Sequence, residues 1–155
     1  MLYVLALLIG VVAGLRAMTA PAAVSWAARL GWLKVGGTPI DFLGFAATPW
    51  IVTVAALAEL VNDKLPKTPS RKTPAPFLAR IASGALCGAA LGASGQALAA
   101  GLVAGALGAV VGTLGGYEAR TRLVRASGGK DLPIALLEDA IAIALAFLVV
   151  SRFPL

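Results

Sequence analysis

Two apolar runs, Met1 to Ala13 and Ala22 to Leu33, flank the stretch Gly14-Leu15-Arg16-Ala17-Met18-Thr19-Ala20-Pro21-Ala22, and an arginine sits inside it. A hydrocarbon core about 30 Å thick needs about 20 apolar helical residues, so neither run crosses a bilayer comfortably alone. Each must tilt, thin the bilayer or form half of an interrupted span. Gly14 suits the end of one helix, and Pro21 suits the first turn of the next, with Thr19 or Ala20 as its cap. Backbone broken at lipid depth is tolerated only where protein or a polar cavity satisfies it. The stretch around Arg16 is therefore the first place to look for a site.

The rest of the chain fits a membrane setting. Of 155 residues, 59% are hydrophobic and 13% charged, far from soluble globular usage. One polytopic membrane domain, an all-α helical bundle, is the expected fold. The chain has no His and a single Cys, which removes imidazole or thiolate metal clusters, a disulfide framework and Ser-His or Cys-His catalysis. No metal or cofactor is expected. Cys87, in the apolar run Ala82 to Leu91, reads as a packing residue. The first twenty residues lack a basic stretch before the apolar run and read as a retained helix rather than a signal peptide. A formal charge of +6 does not point to nucleic acid, because the basic residues fall in short loops between apolar segments.

Six apolar segments can be marked: Leu2 to Ala13, Ala22 to Leu33, Phe42 to Val61, Phe77 to Leu91, Ala97 to Tyr117 and Pro133 to Val150. The linker after the third carries Lys64, Lys67, Arg71 and Lys72, with Arg80 just beyond, and the linker after the fifth carries Arg120, Arg122, Arg125 and Lys130. Positive loops face the cytoplasm. With both termini outside, Arg16 joins these nine, leaving Arg29, Lys34 and Arg152 on the far side. Trp32 and Trp50 would mark the outer interface and Tyr117 the inner one. The third helix has two possible starts, Thr38-Pro39 and Thr48-Pro49; with the later one, Asp41 to Ala47 is an interfacial approach.

The Pro-rich linker, residues 64–76, divides the chain into residues 1–63 and 77–155, three spans each. An odd number of spans per half reverses the second relative to the first, the layout of a 3+3 inverted repeat. The likeness lies in lengths and punctuation: two short segments joined by a Gly-containing break, then a longer helix. In the fourth and fifth segments Gly84, Gly88 and Gly92 recur every four residues, as do Gly101 and Gly105, then Gly108, Gly112 and Gly116. Such a stripe lets another backbone approach closely. It serves either packing within one subunit or a homodimer seam.

Charges within spans are expensive, about 2.5 to 3.5 kcal/mol at a helix centre on insertion scales, and normally face a cavity or each other. Glu59, Glu118, Glu138 and Asp139 all fall toward the cytoplasmic side on this topology, as does Arg16. Two readings follow. Arg16 forms a fixed ion pair with Glu138, Asp139 or Glu59 that pins the broken helix, or snorkels to headgroups. Alternatively, Arg16 and the next helix's N-terminus receive an anionic ligand, with Thr19 and Ser25 adding hydroxyls and the carboxylates binding a coupling proton or cation. In the linker, Lys64, Arg71 and Lys72 are either a solvated positive-inside loop touching anionic lipid headgroups or a clamp for a phosphoryl group.

At these residues the chain resembles a family of small bacterial inner-membrane proteins of unknown function, through a GLRAMTAPA-like element, here Gly14 to Ala22, and an E-x3-DKLPKTPSR-like element, here Glu59 to Arg71. The resemblance implies a membrane location and no mechanism.

Three functions are open to such a chain. The first is a transporter or channel-like carrier for a small anionic or amphipathic solute, with its site at the broken helix around Arg16. The second is a scaffold subunit joined through the Gly-lined helices. The third is an intramembrane enzyme acting on lipid phosphates with the linker as anion clamp. Membrane lipids are partners in all three.

Overall fold

The computed structural model describes residues 1–66 and 68–153; Lys67 lies outside the described residues. Six α-helices follow one another: α1 Leu2–Leu15, α2 Thr19–Arg29, α3 Thr48–Asn62, α4 Pro74–Ser94, α5 Leu98–Ala126 and α6 Asp131–Val150. A short 3-10 helix, Asp41–Gly44, precedes α3. Among the described residues there is no strand. The chain is an all-α bundle, and α4, α5 and α6 are each long and apolar enough to cross a membrane. The α1 and α3 helices are apolar but shorter.

The interruption expected near Arg16 is present. The α1 helix stops at Leu15, and Arg16 leaves it in extended conformation with φ −143° and ψ 112°. The α2 helix starts at Thr19 with Met18 at the capping position, so Pro21 falls in the first turn and neither Thr19 nor Ala20 acts as a cap. The later of the two possible starts is used for α3, with Pro49 in its first turn; the Thr48 hydroxyl donates to the Phe42 carbonyl at 2.6 Å and ties the helix to its approach.

Glycine decides how the core assembles. The α1, α4 and α5 helices form its centre, with their backbones almost touching. A Cβ on Gly105 would lie 2.0 Å from the Gly84 carbonyl oxygen, one on Gly108 2.0 Å from that of Leu7, and one on Gly112 2.3 Å from that of Val11. On α4, a Cβ at Gly88 would meet the Gly101 carbonyl at 2.2 Å. No side chain larger than hydrogen fits those positions without parting the helices. The stripe thus lies within one subunit, which is the first of its two sequence readings, and Cys87 packs beside it, fully buried.

The halves do not repeat in length. The first has helices of 14, 11 and 15 residues and the second 21, 29 and 20, so the short-short-long pattern read from the sequence does not recur in the second half, where the middle helix is the longest. The excess in α5 is instructive: 29 residues span about 43 Å, well past a core of about 30 Å. Its last turns carry charge on two faces: Glu118, Arg122 and Arg125 are exposed, whereas Arg120 is turned inward.

Outside the glycine seam the bundle is coated with exposed apolar side chains, including Trp50, Ile51 and Val54 of α3, Leu107 and Val111 of α5, and Phe147 of α6. Such a continuous belt is stable against lipid tails and not against water. The protein is a membrane protein.

Gly105→Ala and Gly108→Ala are expected to lose roughly 1–3 kcal/mol through overpacking, read as a lower thermal midpoint in detergent. Gly115→Ala, which meets nothing within 4 Å, should be neutral or gain up to about 1 kcal/mol from helix propensity.

A buried ion network at the helix break

At one end of the bundle, the C-termini of α1, α3 and α5 meet the N-termini of α2, α4 and α6. Arg16 sits among them with no exposed surface. Its Nε donates to Asp139 Oδ1 at 2.6 Å, Nη2 lies 2.6 Å from the same oxygen, and Nη1 lies 3.1 Å from Asp63 Oδ2. Glu138 Oε2 is 3.5 Å from Nη2. The Asp139 carboxylate also accepts from Lys64, whose ammonium donates in addition to the Leu60 carbonyl at 2.8 Å. Glu138 in turn accepts two bonds from Arg71, at 2.6 and 3.1 Å, and lies 3.4 Å from Arg120. Arg120 continues outward to Asp131, whose two carboxylate oxygens accept from Nε and Nη2 along one guanidinium edge at 3.0 and 2.9 Å.

The same charges repair the broken backbone. The opening N–H groups before α2, those of Ala17 and Met18, both donate to the Glu59 carboxylate at 2.7 Å. An anion is what the start of a helix favours, and here α3 supplies it internally. The closing carbonyls of α1 receive cations: Arg80 Nη1 lies 3.1 Å from the Leu15 oxygen and 3.3 Å from that of Gly14, and Arg16 Nη1 donates to Leu15 at 2.9 Å. Thr113 lies 3.3 Å from the Gly14 oxygen, and Ser83 donates to the Ala17 carbonyl. Broken chain at this depth is therefore held by side chains from α3, α4 and α5.

The depth follows from α5. Thr113 lies 15 residues beyond Leu98, about 22 Å along the axis, and touches Gly14 next to Arg16. That falls short of the far edge of a core about 30 Å thick. Unpaired charge there would be costly; among the described residues five cations (Arg16, Lys64, Arg71, Arg80, Arg120) face five carboxylates (Glu59, Asp63, Asp131, Glu138, Asp139).

The sequence-derived residues divide clearly. Arg16, Glu59, Glu138, Asp139, Lys64 and Arg71 converge. Ser25 does not: it is fully buried farther along α2, and its hydroxyl donates to Ala22 at 3.0 Å. Thr19 is buried facing a different space, between α2, α3 and α6. Glu118, expected in the cluster, is an exposed partner of Arg122 one turn on, because it lies on the face of α5 turned away from the network that Arg120, two residues later, joins. Lys72 stacks over the Tyr117 ring at 4.5 Å, outside the ion network, so the three linker cations form no common clamp. Asp63, Arg80, Arg120 and Asp131 were not among the candidates. A signal existed for two: Asp63 follows Glu59 by four residues, on the same helical face, and Arg80 lies a turn and a half inside an apolar helix.

Against the network opens a cavity of about 450 Å³, lined by Asp63, Arg71, Arg80, Tyr117, Arg120 and Asp131 together with linker residues. Its volume lies within the range for small-ligand sites. Arg80 Nε is itself buried, with no hydrogen-bond partner.

The model of the family "Domain of unknown function (DUF4126)" matches residues 3–154. The chain belongs to that family. No curated protein and no solved structure matches it. In this DUF4126 member, then, the chemistry has to be read from the residues themselves, and they describe a charge-balanced set of ion pairs, buried at Arg16 and exposed at Asp131, beside a cavity lined in part by arginines.

Removing one partner of a buried pair costs about 3–5 kcal/mol because the other charge is stranded. Arg16→Met should lower stability by that order. Arg16→Met combined with Asp139→Leu should lose less than the sum of the two single changes, giving a coupling of roughly 0.5–3 kcal/mol in a double-mutant cycle followed by unfolding in detergent.

Proposed function

We propose that the protein is a multi-pass carrier of the bacterial inner membrane for a small anionic or amphipathic solute, with the charged end of the bundle on the cytoplasmic side. The observation that carries this reading is the cavity beside the network, whose lining includes Arg71, Arg80 and Arg120. Guanidinium groups are weakly hydrated and present fixed donors, which suits carboxylate or phosphate groups. The surplus of cations at that end supports the orientation.

The network also supplies an element able to have two arrangements. Arg71 and Arg120 hold Glu138 in common, and Arg120 holds Asp131 at the rim. An entering anion competes for those guanidinium groups and releases carboxylates that a proton or cation then neutralises. Coupling of solute to cation would arise from that exchange. Arg16, closed off by Asp139 and Asp63, serves here as the fixed point of the break rather than as the residue that meets solute.

The test is flux. Proteoliposomes should accumulate labelled inorganic phosphate or a four-carbon dicarboxylate above protein-free vesicles. Arg120→Gln should reduce initial rates at least tenfold, while Arg122→Gln, on the exposed face of α5, should leave them unchanged. Rates equal to those of empty vesicles for both solutes, or equal rates for the two variants, would remove the cavity from any transport role.

A further inference from the structure

At the end of the bundle away from the ion network lies a pocket of about 280 Å³, where the start of α1 meets the end of α4, the loop after α2 and the segment closing α6. Thr113, level with Arg16, is about 22 Å along α5 from Leu98, and Ser94 of this pocket precedes Leu98 across the turn Gly95-Gln96-Ala97. The pocket therefore lies at the opposite edge of the membrane-spanning body, where hydrocarbon gives way to headgroups. Its lining is of two kinds: Leu2, Leu5, Trp32 and Phe153 are apolar, and Lys34 and Arg152 are cations.

No carboxylate among the described residues neutralises these two cations. Of the seven acidic residues, five belong to the network at the other end and Glu118 pairs with Arg122. The seventh, Asp41, does not line the pocket. Both cations stand on fixed backbone. Lys34 lies between the buried Leu33 and Val35, and its N–H donates to Ser94 Oγ at 2.8 Å. Arg152 follows the buried Val149 and Val150, and its N–H donates to the Val149 carbonyl at 3.2 Å. Two anchored cations lining one cavity differ from long side chains that snorkel singly into water.

The mixture of lining groups narrows what can enter. Ammonium and guanidinium groups call for an anion with oxygen acceptors, phosphate above all. A small soluble anion would satisfy them and leave Leu2, Leu5 and Phe153 against its charge. A phospholipid satisfies both, and basic pockets between helices at a membrane surface take anionic headgroups. A zwitterionic headgroup brings its own cation to a place that already holds two. Trp32 suits the same interfacial level.

We infer that the pocket lined by Lys34, Arg152 and Trp32 binds the phosphodiester of an anionic glycerophospholipid from the leaflet at that end, with the lipid's glycerol and upper chains against Leu2, Leu5 and Phe153. The bound headgroup bridges the loop after α2 and the segment closing α6. This site is separate from the arginine-lined cavity and holds whether or not that cavity transports anything.

The experiment uses the full chain with Trp26→Phe/Trp50→Phe, which keeps Trp32, in phosphatidylcholine vesicles carrying equal fractions of either brominated phosphatidylglycerol or brominated phosphatidylcholine. Trp32 quenching should be at least twofold greater with the phosphatidylglycerol label. Lys34→Gln/Arg152→Gln should remove that excess without lowering the thermal midpoint, since both side chains are exposed. Arg29→Gln, an exposed cation at the same end that does not line the pocket, should preserve it. Excess inorganic phosphate, compared with chloride at equal ionic strength, should leave it unchanged. As a second readout, native mass spectrometry of the chain with all its tryptophans should find one phosphatidylglycerol more than on Lys34→Gln/Arg152→Gln. The proposal is overturned if the two labels quench equally, if the excess or the lipid count survives Lys34→Gln/Arg152→Gln, or if Arg29→Gln loses as much. Displacement by inorganic phosphate overturns it too, in favour of a site for soluble anions.

Discussion

A helix that stops and restarts inside hydrocarbon exposes carbonyls at one end and N–H groups at the other, and lipid offers them nothing. Around residues 15–18 that requirement is met by charge: the Glu59 carboxylate on the N–H groups, and Arg80 and Arg16 on the carbonyls. Both polarities match the helix dipoles they face. Once these ions are in place each must itself be neutralised, and the carboxylates of α3 and α6 do so. The network is therefore one consequence of one interruption, extended outward through Glu138, Arg71, Arg120 and Asp131 until it reaches solvent.

Close backbone packing makes this geometry possible. With glycine along the α1–α4–α5 seam, the end of α1 lies near enough to α4 and α5 for Arg80 and Thr113 to reach its last carbonyls. Larger residues would hold the helices apart and leave those carbonyls bare. The α6 helix uses the same economy of size: Ala135, Ala142 and Ala146 are buried along one stripe, and Asp139 interrupts that stripe at the level of Arg16. A carboxylate on a stripe of alanines is placed to meet a charge, not to fill space.

The two cavities divide along the same lines. Where the bundle ends in ion pairs, the adjacent space is walled by guanidinium groups and opens to the aqueous end. Where α3 stands off from α6, the space is apolar and opens sideways.

Much of this was legible in the residues alone. Hydropathy and helix punctuation are local properties, so the six helices and the break at Arg16 could be read from the order of residues, and the start of α3 narrowed to two places. The cost of buried charge is equally general, and it singled out Arg16, Glu59, Glu138 and Asp139 as groups needing partners. Pairing is not local: which carboxylate meets Arg16 depends on how helices rotate and how deep they seat, and that choice falls to the glycine seam. Tertiary structure alone therefore brought Arg120 and Asp131 into the network, turned Glu118 away from it and turned Ser25 onto its own helix.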